Sequence, residues 1–225
     1  MEMFLQELQL IIDEYENNLN EIEKVIFTKR YNLNKKHIEI FSVQSISMAY
    51  SVLEGFVQKS FSLYLEKLNN QDLTFDEISD SFFIYHMETQ FTQFKNYPDK
   101  FEKKILFLSR LRESYSENSI TLLSKVDTES NVGFEVINKI LKQFSLEPFE
   151  ERWSADYNHP NLSLKELMRT FLRYRNGVAH GGDLTSEEKV TQAVFSKYKK
   201  LVIDLMNGLY DKFEKGIEEK SFLSH

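Results

Sequence analysis

The chain has no cysteine, so it can hold neither a disulfide framework nor a thiolate zinc site. Proline and glycine are scarce, 3 and 7 among 225 residues, and so few breakers favour long helices. No uninterrupted apolar run approaches the roughly 18–20 residues that span a bilayer. The opening M-E-M-F-L-Q-E lacks the basic start and the small-residue cleavage site of a secretory leader. These absences point to a cytoplasmic protein without a membrane partner. A surplus of positive charge is missing too, since 35 acidic and 28 basic side chains leave −7. Bulk attraction to nucleic acid asks for the opposite sign, so any contact with RNA must come from a local basic patch. His37, His86, His159 and His225 stand in unrelated contexts, and no H-x-x-x-H pair or carboxylate cluster suggests a metal or calls for a cofactor.

What the sequence has in plenty is apolar residues at helical spacing, including 19 Phe and 11 Tyr. Phe4, Leu8, Ile11, Ile12, Tyr15, Leu19, Ile22 and Ile26 step by three and four, which predicts an amphipathic helix over 4–26. It is read as a unit of its own, residues 1–30, packed outside the main body. A second helix follows from His37 to near Leu68, with Ile46, Ala49, Leu53, Val57, Phe61, Tyr64 and Leu68 on one face. Gly55 inside it costs on the order of 1 kcal/mol against Ala, and a close approach by a neighbour is one reason to keep it.

A third helix is expected over 75–95, opened by Thr74 and ended by Tyr97-Pro98, and a fourth, basic-faced, over Phe101–Tyr115. Helical spacing resumes at 132–144, and residues 147–161 read as irregular and exposed. Two capping boxes follow: Ser163 with Glu166, and Thr185 with Glu188, the latter opening a final helix to about Glu218. With no repeat and no strand-length alternation, the fold class is all-α, a single helical bundle over 35–220 plus the first helix.

The stretch R-Y-R-N-G-V-A-H-G-G, residues 173–182, breaks the pattern. From Ser163 the apolar positions are Leu164, Leu167, Met168, Phe171, Leu172 and Val178. At about 100° per residue, Arg175 falls within about 20° of the line through Leu164, on the packed stripe. A guanidinium cannot shed its charge, so it needs an anion or a hydrogen-bonding partner there. His180 lies five residues on, away from that face unless the last turn unwinds, which Gly177, Gly181 and Gly182 make easy. An Arg and a His in a last turn can also serve the helix end alone, through free carbonyls and the dipole, but this leaves the stripe position of Arg175 unexplained. Lys165, Arg169, Arg173 and Arg175 face one acid, Glu166, between 163 and 182. That is a local patch of the kind RNA contact requires, or an ordinary solvated face.

The segment R-N-G-V-A-H-G resembles the motif of the HEPN superfamily: Arg, a polar residue, a short spacer, then His. S-M-A-Y-S-V-L-E-G-F-V-Q-K at 47–59 and S-N-V-G-F-E-V-I-N-K-I-L at 130–141 resemble the flanking helices of the stand-alone bacterial MAE-type HEPN proteins. Together the likeness covers roughly residues 35–215. It implies a HEPN-like helical bundle that dimerises across its motif helices. In many members it also implies metal-free RNA cleavage by 2′-hydroxyl attack, in toxin–antitoxin or phage-defence settings. On that reading Arg175 and His180 are catalytic, and Asn176 orients His180 or a phosphate oxygen unless it is a plain surface residue. Lys165, Arg169 and Arg173 would contact RNA. Glu54 is placed to pair with Arg175 or to stand half-exposed. A homodimer and an antitoxin or defence-system protein are the partners implied. Trp153 and Tyr157 can stack on a base or cover a bundle end. Two other readings are a catalytically silent HEPN module that binds a nucleotide, RNA or a protein, and a structural subunit docking through 147–161 and the first helix.

Overall fold

The structure, a computed structural model, describes residues 2–28, 31, 33–129, 131–159, 162–179 and 190–224. Seven α-helices are described: α1 (Glu2–Phe27), α2 (Lys35–Asn69), α3 (Asp80–Gln90), α4 (Phe101–Glu117), α5 (Phe134–Gln143), α6 (Leu164–Ala179) and α7 (Gln192–Glu218). Helix α2 runs through the middle and packs against α1, α6 and α7. All seven side chains assigned to its inner face are buried, and so are Phe56 and Leu65 beside them. Neighbours on several sides explain why its apolar residues spread beyond one stripe. Buried Ser45 and Ser60 return their hydroxyls to the carbonyls of Ser42 and Val57 at 2.6 and 3.1 Å, whereas the buried Tyr64 hydroxyl has no partner among the described residues. By length and composition alone α2 could cross a membrane, but its core residues are the ones its neighbours cover.

The first helix does not pack outside the bundle. Phe4, Leu8, Ile12 and Leu19 belong to the same buried cluster as the α2 and α7 residues. The ring of Phe4 lies 5.6 Å from Tyr64 and 5.3 Å from Phe213, so α1 completes the core rather than decorating it. The neighbour at Gly55 is a side chain from α1. A Cβ there would stand 3.2 Å from the hydroxyl oxygen of Tyr15.

The third helix starts later than its sequence suggests. The Thr74 hydroxyl donates to the Glu77 carboxylate at 2.8 Å and the Thr74 N–H does so at 2.9 Å, closing a single turn. Ile78 then bridges to Leu223, and the Ser79 N–H donates to the Phe222 carbonyl at 2.9 Å, which holds the chain extended until α3 begins. The helix ends at Gln90, and a short 3-10 turn at Thr92–Phe94 precedes Tyr97-Pro98.

Residues 147–157 are largely irregular, yet Phe149, Trp153 and Tyr157 point inward. Asn138 fixes Phe149 from both sides, donating to its carbonyl at 3.0 Å and accepting its N–H at 2.7 Å. Trp153 lies over Gly208 of α7, where a Cβ would meet its ring at 2.6 Å. Tyr157 stacks on Trp153 at 5.6 Å and donates its hydroxyl to Asp204 at 2.6 Å. These rings cover the bundle, and a small antiparallel pair, β1 (Asn158–His159) with β2 (Leu162–Ser163), follows them into α6. Helix α7 opens at Gln192 behind Thr191, whose hydroxyl accepts the Val194 N–H at 3.3 Å; Thr185 and Glu188 lie outside the described residues.

Candidate active site

The Ser163 hydroxyl caps α6 by accepting the Glu166 N–H at 3.3 Å. The reciprocal half of the expected box is absent, because the Glu166 carboxylate turns to Arg169 at 3.1 Å. Leu164, Leu167, Met168, Phe171 and Tyr174 form the buried face. Phe171 stacks on Tyr198 of α7 at 4.8 Å and meets Tyr50 of α2 edge-on at 5.7 Å. These contacts fix the rotation of α6 and therefore the direction in which its last turn points.

Arg175 is half-buried on that face, as its phase in the sequence requires. Its guanidinium carbon stands 5.0 Å from the centre of the Tyr50 ring, and Nη1 donates to the Asn176 side-chain carbonyl at 3.0 Å. No carboxylate pairs with it among the described residues. The ring beneath it is itself anchored, since Tyr50 is 1% exposed and its hydroxyl accepts the Val132 N–H at 2.5 Å. Burial, with the charge of Glu54 adding to it, pushes the Tyr50 phenol up to about 12, so it stays neutral. The Val132 N–H and the charge of Arg175 pull the other way. Sequence reasoning overlooked Tyr50, which reads as one more aromatic on the apolar face of α2.

Glu54 is half-exposed and does not reach Arg175. The buried Thr128 hydroxyl donates to its carboxylate at 3.1 Å and accepts from Gln58 at 3.0 Å. Tyr50, one turn before Glu54 on α2, holds the place beside Arg175 instead. Lys165 pairs with Glu135 of α5 at 2.7 Å and lies 5.8 Å from the Phe134 ring. Lys165 and Arg169 border an open groove of about 280 Å³ with Gly133, Phe134 and Leu172. Both cations are thus partly neutralised, while Arg173 is exposed. His180 lies outside the described residues. Among the described residues no group of His, Asp and Glu is gathered in a way that could hold a metal.

An all-α bundle with an Arg–Asn couple near the end of α6 is what the resemblance to HEPN proteins implies. The model of the HEPN_MAE_28990-like HEPN family matches residues 7–222, nearly the whole chain, and the chain belongs to that family. The match includes α1, in keeping with the place of that helix in the core. Nothing matches among curated proteins or among solved structures. Membership of a HEPN family is consistent with nuclease-like or RNA-related work.

Proposed function

We propose that the chain is a metal-independent endoribonuclease of toxin or phage-defence type, acting at a site composed by two copies. The observation that carries this reading is Arg175. It is a permanent cation on a packed face, seated on an aromatic ring and with no carboxylate paired to it among the described residues. Internal transesterification brings its own nucleophile, the ribose 2′-hydroxyl. It asks the protein for a base, an acid, and positive charge where the phosphorane develops. Arg175 offers a planar fork matched to phosphate oxygens, and Asn176 holds one arm of it. An imidazole is the side chain suited to proton transfer near neutral pH, and on this reading His180 supplies it. One chain contributes one such His, whereas removing a proton and protonating the leaving oxygen are served best by two. A two-fold pairing of the motif helices brings two Arg and two His to one phosphate. The products are a 2′,3′-cyclic phosphate and a 5′-hydroxyl.

The deciding experiment incubates the purified chain with RNA in EDTA and maps the ends. Cyclic-phosphate ends that vanish in both Arg175→Ala and His180→Ala support the reading, and undiminished cutting by either variant removes that residue from the chemistry. The second reading is a silent HEPN module. It is favoured by the pairing of Lys165 and Arg169 with Glu135 and Glu166, which leaves a flank poor at capturing RNA. RNA binding without cutting would select it.

A further inference from the structure

Helix α4 is the element that the core does not use. Of its 17 residues only Phe107 is buried, clamped edge-on by Phe91, Phe94 and Tyr97 at 6.1, 5.4 and 6.1 Å. It is nevertheless held at its middle by this clamp and again at its far end. At the far end Tyr115 stacks on Phe75 at 5.6 Å, and the Asn118 side chain accepts the Phe75 N–H at 3.2 Å. So α4 is an oriented helix with its apolar face left open.

That face has a definite spacing. Phe101, Ile105, Leu108, Arg112 and Tyr115 follow each other by four, three, four and three residues, the seam of a helix that pairs with another helix. The four apolar members are 71%, 50%, 46% and 58% exposed, far more than a finished core position would be. Cations outnumber acids around this element: between 95 and 117 Lys95, Lys100, Lys103, Lys104, Arg110 and Arg112 stand against Asp99, Glu102, Glu113 and Glu117, a local surplus in a chain of net charge −7. None of the six joins a carboxylate among the described residues, and Lys104 lies 5.2 Å from the centre of the Tyr97 ring.

We propose that α4 is a docking helix for an acidic amphipathic helix of a partner protein, which pairs along the Phe101–Tyr115 seam and places carboxylates against Lys104 and Arg112. Charge selects this occupant over the others. A second copy aligned in parallel would set Arg112 against Arg112, and an antiparallel copy centred on Leu108 would set it against Lys104. A lipid surface would draw Arg112, in the middle of the seam, toward the acyl chains, where a cation is costly. RNA gains little from Ile105 and Leu108, which offer no ring to stack on. Of the docking surfaces suggested by sequence, residues 147–161 and the first helix, the rings of Phe149, Trp153 and Tyr157 and the inner face of α1 are taken up by the core. This assignment does not depend on catalysis at Arg175.

The test uses the full chain and a fluorescent synthetic peptide of about three heptads, with Ile and Leu at its seam and Glu at the flanking positions. A twin with Lys at the flanks is the control. Fluorescence anisotropy is expected to show the Glu peptide binding about tenfold or more tighter than the Lys twin. Leu108→Asp should abolish binding with the circular dichroism melt unchanged, and the double variant Lys104→Glu, Arg112→Glu should reverse the preference. Equal affinity for both peptides, or no binding of either, overturns the proposal. So does Leu108-dependent binding to phosphatidylserine vesicles or to polyuridine without binding of the Glu peptide.

Discussion

The guanidinium of Arg175 rests 5.0 Å from the centre of the Tyr50 ring, and the hydroxyl of that ring is held by the Val132 backbone. Arg175 therefore depends on a seat made by two other parts of the chain. Tyr50→Phe keeps the ring and strands a buried N–H, which costs roughly 1–3 kcal/mol. Denaturant unfolding should show that loss with the slope unchanged. Tyr50→Leu should lose more and also lower any RNA cleavage, since it removes the surface on which Arg175 lies.

Arg175→Lys retains the charge without the planar fork. If the fork holds a phosphate, RNA cleavage should remain about a hundredfold or more below that of the natural chain. Mixing Arg175→Ala with His180→Ala chains offers a sharper check. A composite site regains part of its activity in mixed dimers, whereas two independent sites regain none.

Substituting Glu135→Gln and Glu166→Gln together frees Lys165 and Arg169 from their carboxylates. RNA affinity at low salt should rise, and its salt dependence should steepen by about one to two phosphate contacts. An unchanged titration would show that this flank does not touch RNA.

Gly208→Ala should destabilise the fold by roughly 1–3 kcal/mol, even though Ala is the better helix former. The new methyl would stand 2.6 Å from the Trp153 ring, which cannot retreat because Phe149 and Tyr157 pack against it at 4.9 and 5.6 Å. Thermal melts of the single variant are sufficient to check this.

Alkali should loosen the bundle in a defined window. Burial pushes the phenols of Tyr50 and Tyr85 up to about 12, and it raises those of Tyr64 and Tyr157 as well. The unfolded chain gives up these protons near the ordinary phenol value of about 10. Their contribution is thus complete below pH ~10 and is lost as the pH rises through ~12. The part of the phenolate absorbance that belongs to these four buried rings should appear together with the loss of helical signal.

The long helices were legible because a spacing of three and four over many turns has few alternatives. The start of α3 was not, because the Ile78–Leu223 bridge joins residues far apart in sequence and leaves no local trace. Residues 147–161 read as irregular and exposed, since the space that receives Trp153 is made by Gly208, far along the chain on α7. At the site, the phase of α6 was enough to place Arg175 on the packed face. It could not reveal Tyr50, whose role arises only where α2 crosses α6. Of the two ion pairs flanking the site, Glu166–Arg169 follows from a separation of three residues, while Glu135–Lys165 depends on α5 lying alongside α6.

The bond from the Val132 amide to the Tyr50 hydroxyl has a spatial consequence. Val132 sits between Asn131 and Gly133, which form part of the wall of the groove bordered by Lys165 and Arg169. The groove wall and the seat of Arg175 thus meet at one peptide unit, the amide of Val132.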